Sequence, residues 1–250
     1  MQTETTDQDP LAHGRALLVL AFLTAGFVLA FRVLIDLDLA VSHLFYGPNG
    51  FLLAGNPIWD GLLMLAKAGT YVFVGAALVG LVANFLQRRP ERLLALRYWG
   101  LIVLLYLIGP GLLVNGFLKR FYGRARPVNV DVFGGDGPFT GAWEVSNYCH
   151  SACSFVSAEV AAATALTMGL CIGAAWFAGR PAGRLYRWLS LASAVLLVLT
   201  AIQRIGSGRH FLSDVIFAAL PIAALGIALS WMLWPRPVGV AATPTPGPVQ

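Results

Sequence analysis

The chain has 250 residues, of which 58% are hydrophobic and only 12% are charged, and its formal net charge is +5. Soluble domains carry about 25% charged residues, so this composition excludes an ordinary soluble protein and indicates an integral membrane protein. The excess of positive charge requires no nucleic-acid partner, because arginine-rich cytoplasmic loops and one anion pocket account for most of it.

Six transmembrane helices are predicted in chain order, which gives an all-α bundle. A bilayer core is spanned by about 20 apolar residues, and three uncharged runs reach that length. A fourth span begins at Cys153 and continues to Ala178, with Glu159 as its one ionisable side chain apart from cysteines. Two shorter runs become long enough when their flanking residues snorkel or the helix tilts. The five runs other than 153–178 are Ala16–Phe31, Ala68–Gln87, Tyr98–Leu118, Trp188–Gln203 and Val215–Pro235.

The bundle is expected to occupy residues 15–236, between disordered tails at 1–14 and 237–250. The first run is interpreted as a retained span and not as a signal peptide, because its only preceding cation is Arg15 and no small-residue cleavage site follows. Short arginine-rich connectors join the second span to the third and the fourth to the fifth. By the positive-inside rule we predict that both termini are cytoplasmic.

The three cysteines, Cys149, Cys153 and Cys171, form neither an even disulfide framework nor a CxxC pair. We therefore interpret them as small residues at helix edges and expect no metal site.

Polar residues gather in the connectors of the opposite, outer side. The first, "KRFYGRARP", separates Lys119 from Arg126 by six residues, although such a basic cluster would also suit a patch that binds lipid headgroups. The second, "CSFVSAE", places Ser157 and Glu159 at the mouth of the fourth span. A hydroxyl and free backbone N–H groups at a helix start suit an anion.

The third segment, "QRIGSGRHFLSD", joins the last two spans and holds Arg204, His210 and Asp214 around a glycine-containing turn. His210 and Asp214 are four residues apart, so on a helix they would share one face and the carboxylate could accept a hydrogen bond from one imidazole nitrogen. The other nitrogen would then be free to attack or to accept a proton.

Together these residues resemble the three signature motifs of the type 2 phosphatidic acid phosphatase superfamily, the membrane lipid-phosphate phosphatases related in their site to vanadium haloperoxidases. The K-x6-R-P and R-x5-H-x3-D spacings both match. The resemblance implies that His210 is a nucleophile that forms a phosphohistidine and that Asp214 orients it, without metal or other cofactor. It also implies phosphate binding by four residues, Lys119, Arg126, Ser157 and Arg204. The neighbouring Arg120, Arg124 and Arg209 lie outside the motifs and are assigned only to headgroup attraction.

The second motif departs from the family pattern. The family commonly reads PSGH there, with a histidine that protonates the leaving oxygen, whereas this chain reads Val156–Glu159. Glu159 could be the general acid or could guide water, His150 could move in as the acid, or the chain could be a relative that only binds lipid phosphate.

The predicted function is hydrolysis of a terminal phosphate from a membrane lipid phosphate or diphosphate, at the periplasmic face of a bacterial cytoplasmic membrane. A phosphotransferase that uses the same site and a non-catalytic lipid-phosphate binder are the alternatives. A transporter is disfavoured because the motifs lie at one membrane boundary and not at the midplane. The sequence does not distinguish phosphatidic acid, phosphatidylglycerol phosphate, polyprenyl diphosphate and lipid A as the substrate. It does not indicate the oligomeric state either.

Overall fold

The computed structural model describes residues 10–87, 89, 92–150 and 153–234, with side chains from residue 12 onward. The predicted C-terminal tail lies outside this range, and helix α1 already begins at Pro10, inside the segment assigned to the N-terminal tail. A two-residue antiparallel hairpin, Tyr46–Gly47 with Gly50–Phe51, precedes α3. The helices are α1 Pro10–Val33, α2 Leu37–His43, α3 Pro57–Gln87, α4 Leu93–Phe121, α5 Ala158–Trp176, α6 Pro181–Gly206 and α7 Leu212–Leu233.

Within the described residues six helices, all except α2, are long and apolar enough to cross a membrane, which confirms the predicted six-span bundle. Five of them begin earlier than their uncharged runs, and α5 begins later than predicted, at Ala158 instead of Cys153. Helix α3 starts at Pro57, so Lys67 lies inside a membrane-spanning helix and not in the preceding connector. Helix α6 continues to Gly206 and carries Arg204 in its last turn.

Helix α5 forms the centre of the bundle and packs against α3, α4, α6 and α7. Small residues on α5 allow this, because membrane helices associate mainly through close van der Waals packing. A Cβ on Gly169 would stand 2.7 Å from Ile102 and 2.8 Å from Phe73, which is too close for any larger side chain without displacement. The carbonyl of Gly169 also accepts a 3.1 Å hydrogen bond from Tyr98 of α4.

The connector between α4 and α5 folds over one end of the bundle, the end at which the turn between α6 and α7 also lies. The backbone N–H of Val128 donates to Gly208, that of Ser154 to Arg124, and that of Ser157 to Asp214, at 3.0–3.1 Å. Gly208 adopts φ +68°, a conformation that glycine tolerates best. These bonds tie the three motif segments together.

Cys149 and Cys153 form a disulfide in this connector, so the expectation that they are unpaired was wrong. Their spacing of four residues matches no standard sequence motif, but their Cα atoms lie 5.6 Å apart, within the range that a disulfide bridges. Cys171 in α5 is a free thiol.

Candidate active site

His210 lies in the turn between α6 and α7 and is completely buried. Its Nδ1 lies 2.7 Å from the backbone carbonyl oxygen of Ser154. Because a carbonyl only accepts hydrogen bonds, Nδ1 carries the proton and the lone pair of the neutral ring is on Nε2. Nε2 has no hydrogen-bond partner among the described residues. The site therefore presents a histidine of defined tautomer with its basic nitrogen unoccupied.

The predicted contact between His210 and Asp214 needs correction. Helix α7 begins only at Leu212, so His210 precedes it and the two residues do not share a helix face. The Asp214 carboxylate lies 3.7 Å from Nδ1, beyond hydrogen-bond length. It accepts instead the backbone N–H of Phe211 at 2.8 Å and the hydroxyl of Ser154 at 2.5 Å. Asp214 therefore acts on the imidazole through Ser154, whose carbonyl holds the ring.

Arg124, which sequence analysis assigned to headgroup attraction, is fully buried and has a different role. Its guanidinium donates to Asp214 Oδ1 at 2.7 Å and to Asp38 Oδ2 at 2.8 Å. The ring of Phe211 lies 4.2 Å from its central carbon. Burial disfavours the charge, but the carboxylates of Asp214 and Asp38 outweigh it and raise the pKa of Arg124 above its usual value. Arg124 thus anchors the carboxylate that supports the histidine.

Glu159 stands in the first turn of α5, between His210 and two cations. Its carboxylate lies 3.4 Å from Arg204 Nη2, 3.8 Å from Lys67 Nζ and 3.7 Å from His210 Nε2. Arg204 is buried, and its Nε has no hydrogen-bond partner among the described residues. Glu159 therefore contacts the groups that a bound phosphate would contact.

Lys119 and Arg126 complete the positive side of the site. Lys119, half-buried at the end of α4, interacts electrostatically with Glu159, Arg126 and Arg204. Burial and the neighbouring Arg209 lower the pKa of Arg126. Lys119, Arg126 and Arg204 therefore belong to one electrostatic cluster around Glu159.

Ser157 caps α5. Its hydroxyl oxygen accepts the N–H of Val160 at 3.4 Å, and its own N–H donates to the carbonyl of Asp214 at 3.1 Å. The side chain is completely buried, so the hydroxyl proton is what Ser157 can offer to an anion. His150, the alternative acid, is exposed, as are Arg120 and Arg209.

A cavity of about 290 Å³ opens beside Glu159, between α3, α4 and α5. Lys67, Thr70 and Asn115 give it polar groups, and Pro110 and Ala162 are among its apolar lining. Within the described part of the chain, His, Cys, Asp and Glu do not form a group of three or more that could hold a metal ion.

Comparison with known proteins identifies the family. A family model described as the PAP2 superfamily matches residues 99–237, which is more than half of the chain. The chain belongs to the PAP2 superfamily. The matched region contains the three motif segments that the structure brings together at one end of the bundle.

Curated proteins similar to this PAP2 chain include the lipid A 4′-phosphatase of Rhizobium leguminosarum, which is 38% identical over 123 residues, 49% of each chain. The lipid A 4′-phosphatase of Rhizobium etli is 41% identical over 109 residues, 44% of this chain and 39% of the relative. That of Francisella tularensis subsp. novicida is 35% identical over 116 residues, 45% of this chain and 48% of the relative. The chain thus spans about half the length, or less, of these relatives.

Among solved structures, the chain is similar to a transmembrane PAP2-type phosphatidylglycerolphosphate phosphatase from Bacillus subtilis. The superposition has a TM-score of 0.50 at 18% identity and covers 90% of this chain and 93% of the other. This similarity concerns the fold alone, and it agrees with the six-span bundle.

The PAP2 motifs include the charged groups that face the site but not the residues that support His210 and Asp214 from behind. Ser154 and Asp38 carry no motif signal, and Arg124 was one of several similar cations in a single connector. Lys67 had a usable signal, since a lysine within a membrane-spanning helix is costly and functional by default. It was overlooked because the start of α3 was placed too late.

Proposed function

We propose that this chain is a metal-independent phosphatase that hydrolyses a phosphate monoester of a membrane lipid through a phosphohistidine intermediate. The observation that carries the proposal is the buried imidazole of His210. Its Nδ1 is held by a carbonyl, and its Nε2 has no hydrogen-bond partner among the described residues and lies 3.7 Å from Glu159, which in turn contacts Arg204. A nucleophile needs a lone pair aimed at the reacting atom, and a neutral histidine protonated on Nδ1 provides it.

The cations near His210 and Glu159 stabilise the transition state in this proposal. Phosphoryl transfer spreads negative charge over three equatorial oxygens, so catalysis depends on positioning and on electrostatic stabilisation. Lys119, Arg126 and Arg204 supply the positive charge, and Ser157 can donate its hydroxyl proton. The Arg204 Nε–H, which has no partner among the described residues, gains an acceptor when phosphate binds.

In the second half of the reaction, water attacks the phosphohistidine and must lose a proton. Glu159 is suited to accept this proton, because its carboxylate lies 3.7 Å from Nε2. Asp214 and Ser154 hold the ring in place through both steps.

The proposed substrate is a sugar-linked phosphate of the lipid A class. Support comes from the similar proteins, which are named lipid A 4′-phosphatases and are 35–41% identical over the matched segments.

The proposed site faces the periplasm of a bacterial cytoplasmic membrane, with both termini in the cytoplasm. Two independent observations support this orientation. The arginine-rich connectors lie at the opposite end of the bundle, and the disulfide Cys149–Cys153 lies at the site end, where an oxidising compartment would preserve it. A phosphatase reporter fused after residue 250 should be inactive, whereas the same reporter placed in the 122–157 connector should be active.

The test of the reaction is phosphate release from purified lipid A in detergent, measured with excess EDTA. We expect release that vanadate blocks and that His210→Ala abolishes. Labelled substrate should leave an acid-labile, base-stable phosphoenzyme on the wild-type protein. Activity in His210→Ala would refute the nucleophile, and lipid binding without any phosphate release would favour the non-catalytic alternative.

A further inference from the structure

The reaction proposed above needs a donor for the proton that the leaving oxygen takes, and the usual second-motif histidine is absent. Glu159 stands at that position. Its carboxylate makes ion pairs with Arg204 at 3.4 Å and with Lys67 at 3.8 Å. An ionised carboxylate only accepts hydrogen bonds and protons. The donor must therefore be sought among the neighbours of Glu159.

Lys67 is the neighbour that no PAP2 motif uses. It lies about 15 Å along α3 from Pro57, at 1.5 Å per residue, and therefore well within a membrane-spanning helix. Ionisable groups in such helices are expensive to maintain and mark functional positions. Its side chain is 41% exposed, so Nζ is not enclosed by protein and can meet a substrate.

The order of the groups around Glu159 fits an in-line displacement. In such a reaction the leaving oxygen is on the side of phosphorus opposite to the attacking atom. Its proton donor must therefore lie further from His210 Nε2 than the phosphate does. The contacts of Glu159 bring both groups to one carboxylate: His210 Nε2 lies 3.7 Å from Oε2, and Lys67 Nζ lies 3.8 Å from Oε1. The nucleophile and the ammonium therefore contact different oxygens of the same anion, and a phosphate bound beside Glu159 could be within reach of both.

A place for the leaving alcohol adjoins the same lysine. The cavity of about 290 Å³ is lined by both Lys67 and Glu159 and continues between α3 and α5. Thr70 and Asn115 supply hydroxyl and amide groups, while Leu63 and Ala158 supply apolar surface. This mixture suits an alcohol that joins polar ring atoms to hydrocarbon, such as a glycolipid.

We propose that Lys67 is the general acid of this chain, protonating the leaving oxygen of an alcohol bound in the cavity that Lys67 and Glu159 line. This assignment rests on the phosphohistidine reaction of the proposed function. It gives Lys67 the part that the missing second-motif histidine would otherwise take, and it leaves Glu159 as the base.

The two steps balance as follows. The Nε2 lone pair of His210 forms the N–P bond while the P–O bond to the alcohol breaks, and the leaving oxygen takes a proton from the Lys67 ammonium. Water then forms the new P–O bond while the P–N bond breaks and returns its electron pair to Nε2. The proton lost by water passes through Glu159 to the neutral Lys67 amine. Both residues end in their starting protonation states.

The test compares two substrates whose leaving groups differ in their need for acid. Lipid A loses a poorly stabilised sugar alkoxide, whereas 4-nitrophenyl phosphate loses a stable phenolate that needs no proton. General acid catalysis contributes about 10²–10⁴-fold. We expect Lys67→Met to lower kcat on lipid A at least about 100-fold and to lower kcat on 4-nitrophenyl phosphate less than about tenfold.

Lys67→Arg tests whether the reaction needs the proton of Lys67 or only its positive charge. Arginine retains the ion pair with Glu159, but its guanidinium does not give up a proton in proteins. We expect this variant to show the same selective loss as Lys67→Met. The matched control is the chain's other lysine: Lys119→Met removes a phosphate contact that both substrates share, so both rates should fall by similar factors. Gel filtration and thermal midpoints of the variants exclude misfolding as the cause.

The outcomes distinguish the two proposals. If the wild-type protein releases phosphate from neither substrate, the proposed function fails, and the role of Lys67 fails with it. If the wild type is active but Lys67→Met lowers both rates equally, Lys67 contributes charge or structure and is not the acid. Full activity of Lys67→Arg on lipid A would overturn the assignment as well.

Discussion

Removal of the buried Arg124 guanidinium should destabilise the protein more than removal of an exposed arginine nearby. Arg124→Met keeps the apolar stem but leaves the carboxylates of Asp38 and Asp214 without their shared cation. The exposed fractions of all three residues are at most 1%, so water cannot compensate. Loss of one partner of a buried ion pair costs about 3–5 kcal/mol. For a chain of this size we expect the thermal midpoint to fall by about 6–20 °C.

The assay is thermal unfolding in a mild detergent, followed by tryptophan fluorescence, to which the buried Trp176 contributes. Arg120→Met is the matched control, because Arg120 belongs to the same connector region and is exposed. We expect this control to change the midpoint by no more than about 1–2 °C, since substitutions at the surface cost less than about 0.5 kcal/mol.

A second variant isolates the cause. Arg124→Met combined with Asp38→Asn removes one of the two stranded charges, so the double variant should be more stable than Arg124→Met alone. The reasoning would be refuted if Arg124→Met and Arg120→Met had the same midpoint, or if the additional Asp38→Asn lowered stability further.

Three further outcomes follow from the described contacts. Glu159→Gln should accumulate labelled phosphoenzyme in a quench assay, because water then lacks its base; an unchanged steady-state level would contradict that role. Gly169→Leu should lower the free energy of unfolding by about 1–3 kcal/mol, because it overpacks the interface of α5 with α3 and α4. Gly26→Leu on the open face of α1 should leave stability unchanged. Equal thermal midpoints of the two variants would disprove the packing argument. Joint replacement of Cys149 and Cys153 by serine should lower the free energy of unfolding by about 2 kcal/mol. Addition of dithiothreitol to the wild type should reproduce this loss. If neither change shifts the thermal midpoint, the disulfide does not form.

The fold was predictable because hydrophobic length is a local signal. Each span is recognisable from its own residues, and the two connectors that carry the three motif segments lie at one end because two spans separate them. The starts of the helices were less predictable. Asp60 and Lys67 interrupt the apolar run of α3, yet the helix includes both, since one side of α3 faces the site and the cavity.

The support behind the histidine could not be predicted, since it depends on contacts between distant segments. Arg124 and Asp38 are 86 residues apart, and nothing local distinguishes Arg124 from the other cations of its connector. The spacing of His210 and Asp214 suggested a helix face. The turn that carries Gly208 instead delays the start of α7, and the backbone of Ser154 takes the hydrogen bond that the carboxylate was expected to accept.

The guanidinium shared by Asp38 and Asp214 has a consequence for biogenesis. A chain is synthesised from its N-terminus, so Asp38 and Arg124 reach the membrane well before α7 does. Until α7 inserts, the carboxylate that supports the site is missing, and so is His210 itself. An incompletely inserted chain therefore lacks the proposed catalytic site. Completion of the site coincides with completion of the bundle, so the last span to enter the membrane is also the one that would make the protein active.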